Sequence, residues 1–308
     1  EELGVTASQG RPCPPSRPSV LGIQDLSPAH RCATMLLPLA ERAEEDGGTM
    51  KILDGRKGLV FGIANDRSIA CHIGKCFLAE GAACGFPYLP GEKSERRVSK
   101  ALEELGVPDP WLLPCDVSKD ADLDAAFAAA RERFDSIDFM VHSLAFADRT
   151  YLKHGMFAAT PREVFAQALD ISAYSLVAMA RRAKEIMPRG GSILAMTYYG
   201  SEKAVPGYNV MGVAKAALEA CTRYLALELG QFNIRVNTIS AGPIKTLSSM
   251  AVGGIDEIFD WVQKKAPLHR NVTAEEVGKT AVYLASDLSS GVTGENIFVD
   301  NGYSIVGL

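Results

Sequence analysis

The sequence has no apolar run that reaches the ~18 residues of a membrane-spanning helix, and no long run of basic residues. Its net charge of −5 argues against nucleic acid or an anionic membrane as the main partner. The seven cysteines are odd in number and lack a C-x-x-C pair, so they fit neither a disulfide framework nor a zinc site. We therefore expect buried free thiols in a reducing compartment, no membrane span and no metal.

The composition is typical of a globular protein with a large core, since 47% of the 308 residues are hydrophobic and 22% are charged. The first 49 residues differ, because four prolines among the first 18 residues prevent regular structure. We interpret residues 1–49 as an irregular, disordered extension or a fragment artefact rather than an organellar leader. Residues 50–308 are predicted to form one domain.

After residue 50, apolar strands alternate with helical patterns, which is typical of a parallel sheet covered by helices. The predicted strands are 57–61, 83–87, 111–115, 137–141, 192–197, 234–239 and 296–300. The predicted helices are 68–80, 94–105, 121–134, 161–187, 208–230 and 273–286. The pattern predicts an α/β fold, a Rossmann-like, doubly wound, seven-stranded parallel sheet with helices on both faces in a single domain.

Ligands of such sheets bind at the carboxyl ends of the strands. The first strand is followed by Gly62, and Ser68 and Ile69 open the next helix. A glycine lets the backbone approach a pyrophosphate, and the helix start offers free N–H groups to it. Ser68 can cap the helix and also reach a phosphate oxygen. The turn lacks the G-x-G-x-x-G pattern, so an ordinary strand-to-helix turn stays an alternative.

Other strand ends carry residues compatible with a dinucleotide. Asp116 can accept from an adenine amino group or cap the following helix. Small residues around Leu144 let the backbone pass close to a ribose, and the backbone of Ile244 is available to a nicotinamide carboxamide. The second strand ends at Leu89 without an acidic residue for an adenosine 2′-hydroxyl or an arginine for a 2′-phosphate. We expect NADH as the cofactor, with NADPH as an alternative because of the basic residues between positions 93 and 97.

Tyr208 and Lys215 lie seven positions apart on a predicted helix, within about 20° of two full turns, so they share a face. Lys215 can bind the nicotinamide ribose, and its charge favours hydrogen-bond donation by the Tyr208 phenol. The common Tyr-x3-Lys spacing suits a ketone. The longer spacing sets the phenol back by one turn, as a conjugated enoyl thioester requires. Tyr198 is a second phenol at the same cleft, with either a chemical role or a pocket-lining one.

Four stretches, with the Gly62-x5-Ser68 turn, carry a family resemblance: residues 196–200, 208–215, 235–237 and 240–246. Through them residues 50–308 resemble the bacterial enoyl-[acyl-carrier-protein] reductase, FabI type, a divergent member of the short-chain dehydrogenase/reductase superfamily. The resemblance implies NAD(P)H-dependent reduction of the C2=C3 bond of trans-2-enoyl thioesters, the last step of type II fatty acid elongation. It also implies a cytoplasmic homotetramer, or an organelle stroma in a eukaryote, and the acyl carrier protein as partner.

The resemblance also implies roles for single residues. Tyr208 matches the catalytic tyrosine, Lys215 the ribose-binding lysine and Tyr198 the other active-site tyrosine. The implied cofactor contacts are Gly62, Ser68, Ile69, Leu89, Asp116, Val117, Leu144, Lys215, Ile244 and Thr246, and Ala147 is an implied substrate contact beside the two tyrosines. Residues 246–261 match a mobile substrate-binding flap, for which the pair Gly253 and Gly254 is a hinge.

Some alternatives stay open. The flap helix is acidic where some family members are basic. We therefore expect the carrier to dock on other basic residues, with an ordinary solvated surface as the alternative for each of them: Lys245, Lys264, Lys265 and Arg270. A carbonyl reductase of the same superfamily and a non-catalytic nucleotide-binding sensor are the other functions considered. His142 follows the fourth strand, and we expect it to be packed or hydrogen-bonded rather than a metal ligand.

Overall fold

The computed structural model describes residues 51–107, 109–247 and 249–307. The extension predicted over residues 1–49 lies outside these residues. The strands are β1 (Lys57–Phe61), β2 (Ala83–Tyr88), β3 (Trp111–Pro114), β4 (Phe139–His142), β5 (Gly191–Thr197), β6 (Ile234–Ala241) and β7 (Asn296–Val299). The α-helices are α1 (Ile69–Ala79), α2 (Glu92–Glu104), α3 (Asp120–Phe134), α4 (Arg162–Leu169), α5 (Ser175–Glu185), α6 (Asn209–Leu229), α7 (Ile255–Lys265) and α8 (Ala274–Ala285).

The sheet has seven parallel strands in the order β3-β2-β1-β4-β5-β6-β7. The chain builds outward from β1 to β3, returns to place β4 on the other side of β1, and builds outward again to β7. The direction reverses between β1 and β4, where Phe61 pairs with His142 at the strand ends. Ligands of doubly wound sheets bind at such a reversal. The predicted fold class is confirmed, and it locates the candidate site.

Strand β1 shows why helices cover both faces of the sheet. Leu59 and Phe61 pack into a core with α3, α5 and α6, whereas Val60 packs into a second core with α1, α2 and α8. Successive side chains of a strand point to opposite faces, so a continuous apolar run supplies both cores. None of the helices in the described part of the chain is long and apolar enough to cross a membrane.

The helix predicted over residues 161–187 is present from Arg162 to Glu185, but it is not a regular α-helix throughout. The structure has α4, then a π-helical turn at Asp170–Tyr174, then α5. The hydroxyl of Ser172, inside the turn, exchanges hydrogen bonds with the backbone of Phe146, and that of Ser175, directly after it, bonds the His142 ring. A π-turn shifts the helical ladder by one residue, and here it brings two serines against the exit of β4. Helix α7 was expected only as part of the flap.

Pro87 lies in an internal strand although proline has no N–H for the ladder. Strand β2 pairs with β1 only as far as Gly85, whereas its pairing with β3 continues to Tyr88. Ala83 has the same parity along the strand as Pro87, and its N–H donates to the carbonyl of Arg56 on the β1 side. The missing donor of Pro87 therefore faces the side on which pairing has already ended.

Five cysteines lie in the described residues, and all five are free thiols. Cys71, Cys84 and Cys115 are buried, but Cys76 and Cys221 are only half-buried, so the expectation of burial was wrong for these two. Burial raises the pKa of Cys71 to about 12. A thiol with such a pKa is inert near neutral pH, which fits a packing role.

Candidate active site

The turn after β1 brings two backbones together where the strand order reverses. Gly62 has φ +106°, a conformation that L side chains rarely adopt. A Cβ at this position would overlap the main-chain oxygen of Ser143, the residue that follows β4. The packing of β1 against β4 therefore requires a glycine here, and the same lack of a side chain leaves the turn open to a ligand.

The hydroxyl of Ser68 closes the turn instead of capping the helix. Ser68 stands at the N-cap position of α1, but its side chain makes no capping hydrogen bond, so that prediction was wrong. Its Oγ accepts from the backbone N–H groups of Ala64 and Asn65, each at 3.0 Å. Among the described residues no side chain takes up the first N–H groups of α1, which begin at Ile69. These donors and the helix dipole suit a phosphate.

Asp116 is held in a local turn after β3. Its Oδ1 accepts from the backbone N–H and the hydroxyl of Ser118, at 3.1 and 2.7 Å. Burial acts to raise the pKa of this carboxyl, but the hydrogen bonds from Ser118 and the pairing with Lys119 together outweigh burial, and the pKa is lowered. The helix-cap alternative was wrong, because Lys119 is the N-cap residue of α3 and makes no side-chain cap. The neighbouring Val117 packs against the core.

Leu89 lies at the rim of the site. It follows β2 and is 62% exposed. The hydroxyl of the preceding Tyr88 donates to Glu95 at 3.0 Å, so this polar group is already engaged. Nearby, the Arg96 guanidinium pairs with Glu92 at 3.7 Å. The rim therefore presents an apolar side chain together with one partly neutralised arginine.

Lys215 ties helix α6 to the ends of two strands. Its Nζ donates to the carbonyl oxygen of Leu144, after β4, at 3.1 Å and to that of Met196, in β5, at 2.8 Å. The lysine is buried, and burial lowers its pKa to about 8, against the opposing effect of Glu219. The ammonium group is thus fixed at the carboxyl edge of the sheet, as its spacing from Tyr208 suggested.

The two predicted active-site tyrosines contact each other. The rings of Tyr198 and Tyr208 meet edge to face, with centroids 5.0 Å apart and an interplanar angle of 75°. Burial first, and then Glu219, raise the pKa of Tyr208. Burial and the nearby Tyr303 raise the pKa of Tyr198. Both phenols are therefore protonated hydrogen-bond donors over the physiological pH range. Tyr199 packs instead against Tyr303, with centroids 5.4 Å apart.

The loop after β4 is shaped by the π-turn. Ser172 Oγ accepts from the N–H of Phe146 at 3.0 Å and lies 3.3 Å from the carbonyl oxygen of the same residue. The next residue, Ala147, packs in a small cluster that includes Tyr208 and Met211. The structure therefore brings the predicted substrate contact Ala147 beside the predicted catalytic tyrosine.

The segment after β6 forms the other wall. Ile244 packs on the core below α8. The Thr246 hydroxyl accepts from the N–H of Ser249 at 3.1 Å, and Ser249 Oγ donates back to the carbonyl of Ile244 at 2.7 Å. At the start of α7, Gly254 has φ +79°, and the N–H of Gly253 donates to the carbonyl of Leu152 at 3.1 Å. The flap is thus fastened to the segment that precedes α4.

His142 is buried and hydrogen-bonded, as expected. Its Nε2 lies 2.7 Å from Ser175 Oγ, which donates its own proton to the carbonyl of Ile171. The serine oxygen is then the acceptor, so Nε2 carries the ring proton. Burial, with the nearby Lys215, lowers the pKa of His142 to about 3, which keeps the ring neutral. In the part of the chain that the structure describes, no group of acidic, His and Cys side chains could hold a metal ion.

Comparison with known proteins assigns this arrangement to a family. The family model described as enoyl-(acyl carrier protein) reductase matches residues 62–304. The chain belongs to the enoyl-[acyl-carrier-protein] reductase family. The resemblance inferred from the Tyr208 and Lys215 region is therefore confirmed.

Curated members of the enoyl-[acyl-carrier-protein] reductase family align with nearly the whole described chain. The NADH-dependent FabI of Synechocystis sp. is 52% identical over 258 residues, which are 83% of this chain and 99% of the relative. The NADPH-dependent FabI of Staphylococcus aureus (strain MRSA252) is 50% identical over 82% of this chain and 98% of its own. The crystal structure of the Bacillus cereus reductase with NADP+ and an indole naphthyridinone has a TM-score of 0.81 at 50% identity, covering 84% of this chain and 100% of that one.

Sequence reasoning missed two polar residues of the candidate site. Glu219 is buried on α6, one turn after Lys215, and Oε1 of its carboxylate accepts from the Thr197 hydroxyl at 2.5 Å. The signal was present in the sequence, because an acidic residue four positions after Lys215 lies on the same, buried helical face. Thr197 offered no such signal, since a threonine in a strand is ordinary.

Proposed function

We propose that Tyr208, Tyr198 and Lys215 carry the chemistry of this NAD(P)H-dependent enoyl-[acyl-carrier-protein] reductase. The enzyme reduces the C2=C3 double bond of a trans-2-enoyl thioester on the acyl carrier protein to the saturated acyl thioester. A nicotinamide cofactor bound here would supply the hydride for C3, and a proton from solvent at C2 would complete the reduction. The supporting observation is that the two phenols and the lysine lie together at the carboxyl ends of β4 and β5.

Lys215 is suited to hold the nicotinamide ribose. An ammonium group has three N–H donors, and two of them are taken by the carbonyls of Leu144 and Met196. One donor is left for a ribose hydroxyl. Because both acceptors are backbone groups at strand ends, the direction of the third donor is fixed by the sheet.

Tyr208 is suited to stabilise the enolate oxygen of the substrate. Its phenol stays protonated because its pKa is raised, and a donor fixed in advance acts on charge that develops only in the transition state. Tyr198 packs edge-on against it, and its buried hydroxyl lies near that of Tyr303. We assign the Tyr198 hydroxyl to the thioester pocket as a second donor.

The remaining cofactor contacts follow the sheet edge from β3 to β6. The N–H groups that begin at Ile69 suit the phosphates, and the turn at Gly62 leaves room for them. Asp116 and Val117 fit the adenine side, and Ile244 fits the nicotinamide carboxamide. The Thr246 hydroxyl accepts one bond from Ser249 and keeps its own proton for a phosphate oxygen.

The choice between NADH and NADPH depends on the rim at Leu89. This side chain offers no charge to a 2′-phosphate, and Arg96 is partly neutralised by Glu92, so we infer a preference for NADH. The curated relatives include NADH-dependent and NADPH-dependent enzymes at closely similar identity. Lys93 and Arg97 are exposed and could serve the second cofactor.

Two lysines are the best candidates for contact with the carrier protein. Of the four basic residues considered, Arg270 is bound to Glu276 by two hydrogen bonds at 2.9 and 2.6 Å, and Lys245 Nζ lies 5.2 Å over the Phe259 ring. Lys264 and Lys265, at the end of α7, are exposed. We propose that these two contact the acidic carrier, and that replacing both by Glu raises KM for carrier-bound substrate more than for a coenzyme A thioester.

The assembly and location inferred from the resemblance remain proposals. We propose a homotetramer in the cytoplasm, or in an organelle stroma if the source is a eukaryote, with residues 50–308 as one reductase domain. Tyr224 and Leu227 on α6 are 76% and 82% exposed, and an apolar helix face of this kind suits contact between copies. Light scattering of the full chain tests the tetramer.

The function is tested by cofactor oxidation at 340 nm with crotonyl-CoA and a crotonyl-carrier thioester. Wild type is compared with Tyr208→Phe and Lys215→Ala, each with NADH and NADPH. We expect thioester-dependent oxidation that falls by about 100-fold or more in both variants. A folded protein that binds the cofactor but oxidises it with neither thioester would point to a ketone substrate or a sensor instead.

A further inference from the structure

Glu219 is a buried carboxylate that the proposed chemistry does not use. It is 8% exposed and lies on α6, one turn beyond Lys215. Acidic side chains are rarely buried unless they are paired. In the described residues its carboxylate has one hydrogen bond, from the Thr197 hydroxyl. A buried carboxylate with one hydrogen bond suggests a function beyond packing.

Three consecutive residues at the end of β5 connect this carboxylate to the site. The carbonyl of Met196 accepts from Lys215, the hydroxyl of Thr197 donates to Glu219, and the ring of Tyr198 packs on Tyr208. Lys215, Glu219 and Tyr208 therefore each contact one of three consecutive residues at the end of β5. Glu219 is part of this connection, although it lies a turn farther along the helix.

The charges around Lys215 single out Glu219. The titratable groups that act on Lys215 or Tyr208 in the described residues are His142 at the end of β4, Tyr198 after β5, and Glu219 on α6. His142 and Tyr198 are neutral, as argued above. The carboxylate is thus the negative charge that opposes the burial of the ammonium group, and it also favours the protonated form of Tyr208.

We propose that Glu219 is a positioning residue: its buried carboxylate, anchored by the Thr197 hydroxyl, keeps Lys215 charged and directed at the ends of β4 and β5. It acts through Lys215 and Tyr208 and touches neither substrate nor cofactor. The inference rests on the proposed roles of these two residues. One unit charge about a helical turn away changes a buried pKa by about one unit or more.

The test is the pH dependence of turnover in Glu219→Gln, which keeps the shape and removes the charge. We expect the alkaline limb of kcat/KM to move to lower pH by about one unit or more. In Thr197→Val we expect the alkaline limb to move in the same direction by a smaller amount. In Thr197→Ser, which keeps the hydroxyl, the limb should stay at its wild-type position. Glu228→Gln is the matched control, since Glu228 lies exposed on the same helix, and its limb should stay with the wild type.

A second readout does not depend on turnover. The 13Cε signal of Lys215, assigned by its loss in Lys215→Met, reports the titration of the ammonium group directly. We expect its midpoint to be lower in Glu219→Gln than in wild type. Lower thermal stability with an unchanged midpoint and an unchanged limb would mean that Glu219 is only structural, and would overturn the proposal. If wild type turns over no thioester, the proposed function fails, but the NMR titration still decides this inference.

Discussion

Replacing Gly200 by alanine should disable the site with little effect elsewhere. Gly200 follows the two tyrosines at the end of β5, and an added Cβ would overlap Cδ1 of Tyr208 and lie 2.9 Å from Cε1 of the same ring and 3.2 Å from Cδ1 of Tyr198. Carbon atoms in contact sit at about 3.5–4.0 Å. The Tyr208 ring must therefore withdraw by about 1 Å, or the edge-to-face pair must separate.

The size of the effect follows from that displacement. A catalytic group misplaced by about 1 Å can lose about 100-fold in rate, whereas overpacking in a core costs about 1–3 kcal/mol of stability. We therefore expect kcat for a crotonyl thioester to fall by about 100-fold in Gly200→Ala. The cofactor dissociation constant should change by less than about threefold, because Lys215 is bound to Met196 and Leu144 and not to Gly200.

The control is Gly291→Ala. A Cβ at Gly291 meets nothing within 4 Å and the residue has no positive φ, so this variant should match wild type in rate. Rates are measured at 340 nm, cofactor binding by nicotinamide fluorescence and folding by circular dichroism. A Gly200→Ala enzyme with a kcat within about threefold of wild type would refute the view that the Tyr208 ring position governs the rate.

Three further outcomes are expected. For wild type, kcat/KM should fall as pH rises through about 8, because the pKa of Lys215 is lowered to about 8 and the charged form is lost above it; a limb near pH 10 would contradict this. Gly62→Ala should lower the free energy of unfolding by about 3 kcal/mol or more in urea titrations and weaken cofactor binding, because its Cβ overlaps the Ser143 oxygen and its φ is positive. Thr273→Ala breaks the capping box with Glu276 at α8 and should cost about 1 kcal/mol in the same titration, with turnover unchanged.

The strand ends were predictable because their signals are local. Most strands are short runs rich in apolar residues, and parallel pairing brings the carboxyl ends of such runs to one edge. The glycine at position 62 and the lysine at position 215 could therefore be assigned to that edge from the sequence. The predicted strand bounds agree with the structure to within two residues.

The errors concern side chains whose hydrogen-bond partners are distant in sequence, or for which the sequence offers two equally suitable partners. The Ser68 hydroxyl could accept either from N–H groups at the helix start or from those of the preceding turn. In the structure it accepts from Ala64 and Asn65 in the turn. In the π-turn, Ser172 contacts Phe146, which is 26 positions away in the sequence. Periodicity records only that residues 161–187 are helical, because a one-residue shift in the ladder leaves both halves amphipathic.

The place of Tyr208 shows the limit of the spacing argument most clearly. The argument treats the seven positions to Lys215 as regular helix, but Tyr208 is the N-cap residue of α6 and Asn209 has φ +45°. The Asn209 side chain donates to the carbonyls of Tyr151 and Lys153 at 2.6 and 2.8 Å, which stabilises this conformation. The phenol is thus set at its distance from the lysine by a tethered helix start as well as by helical rise, and the tether runs to the segment on which the flap is fastened.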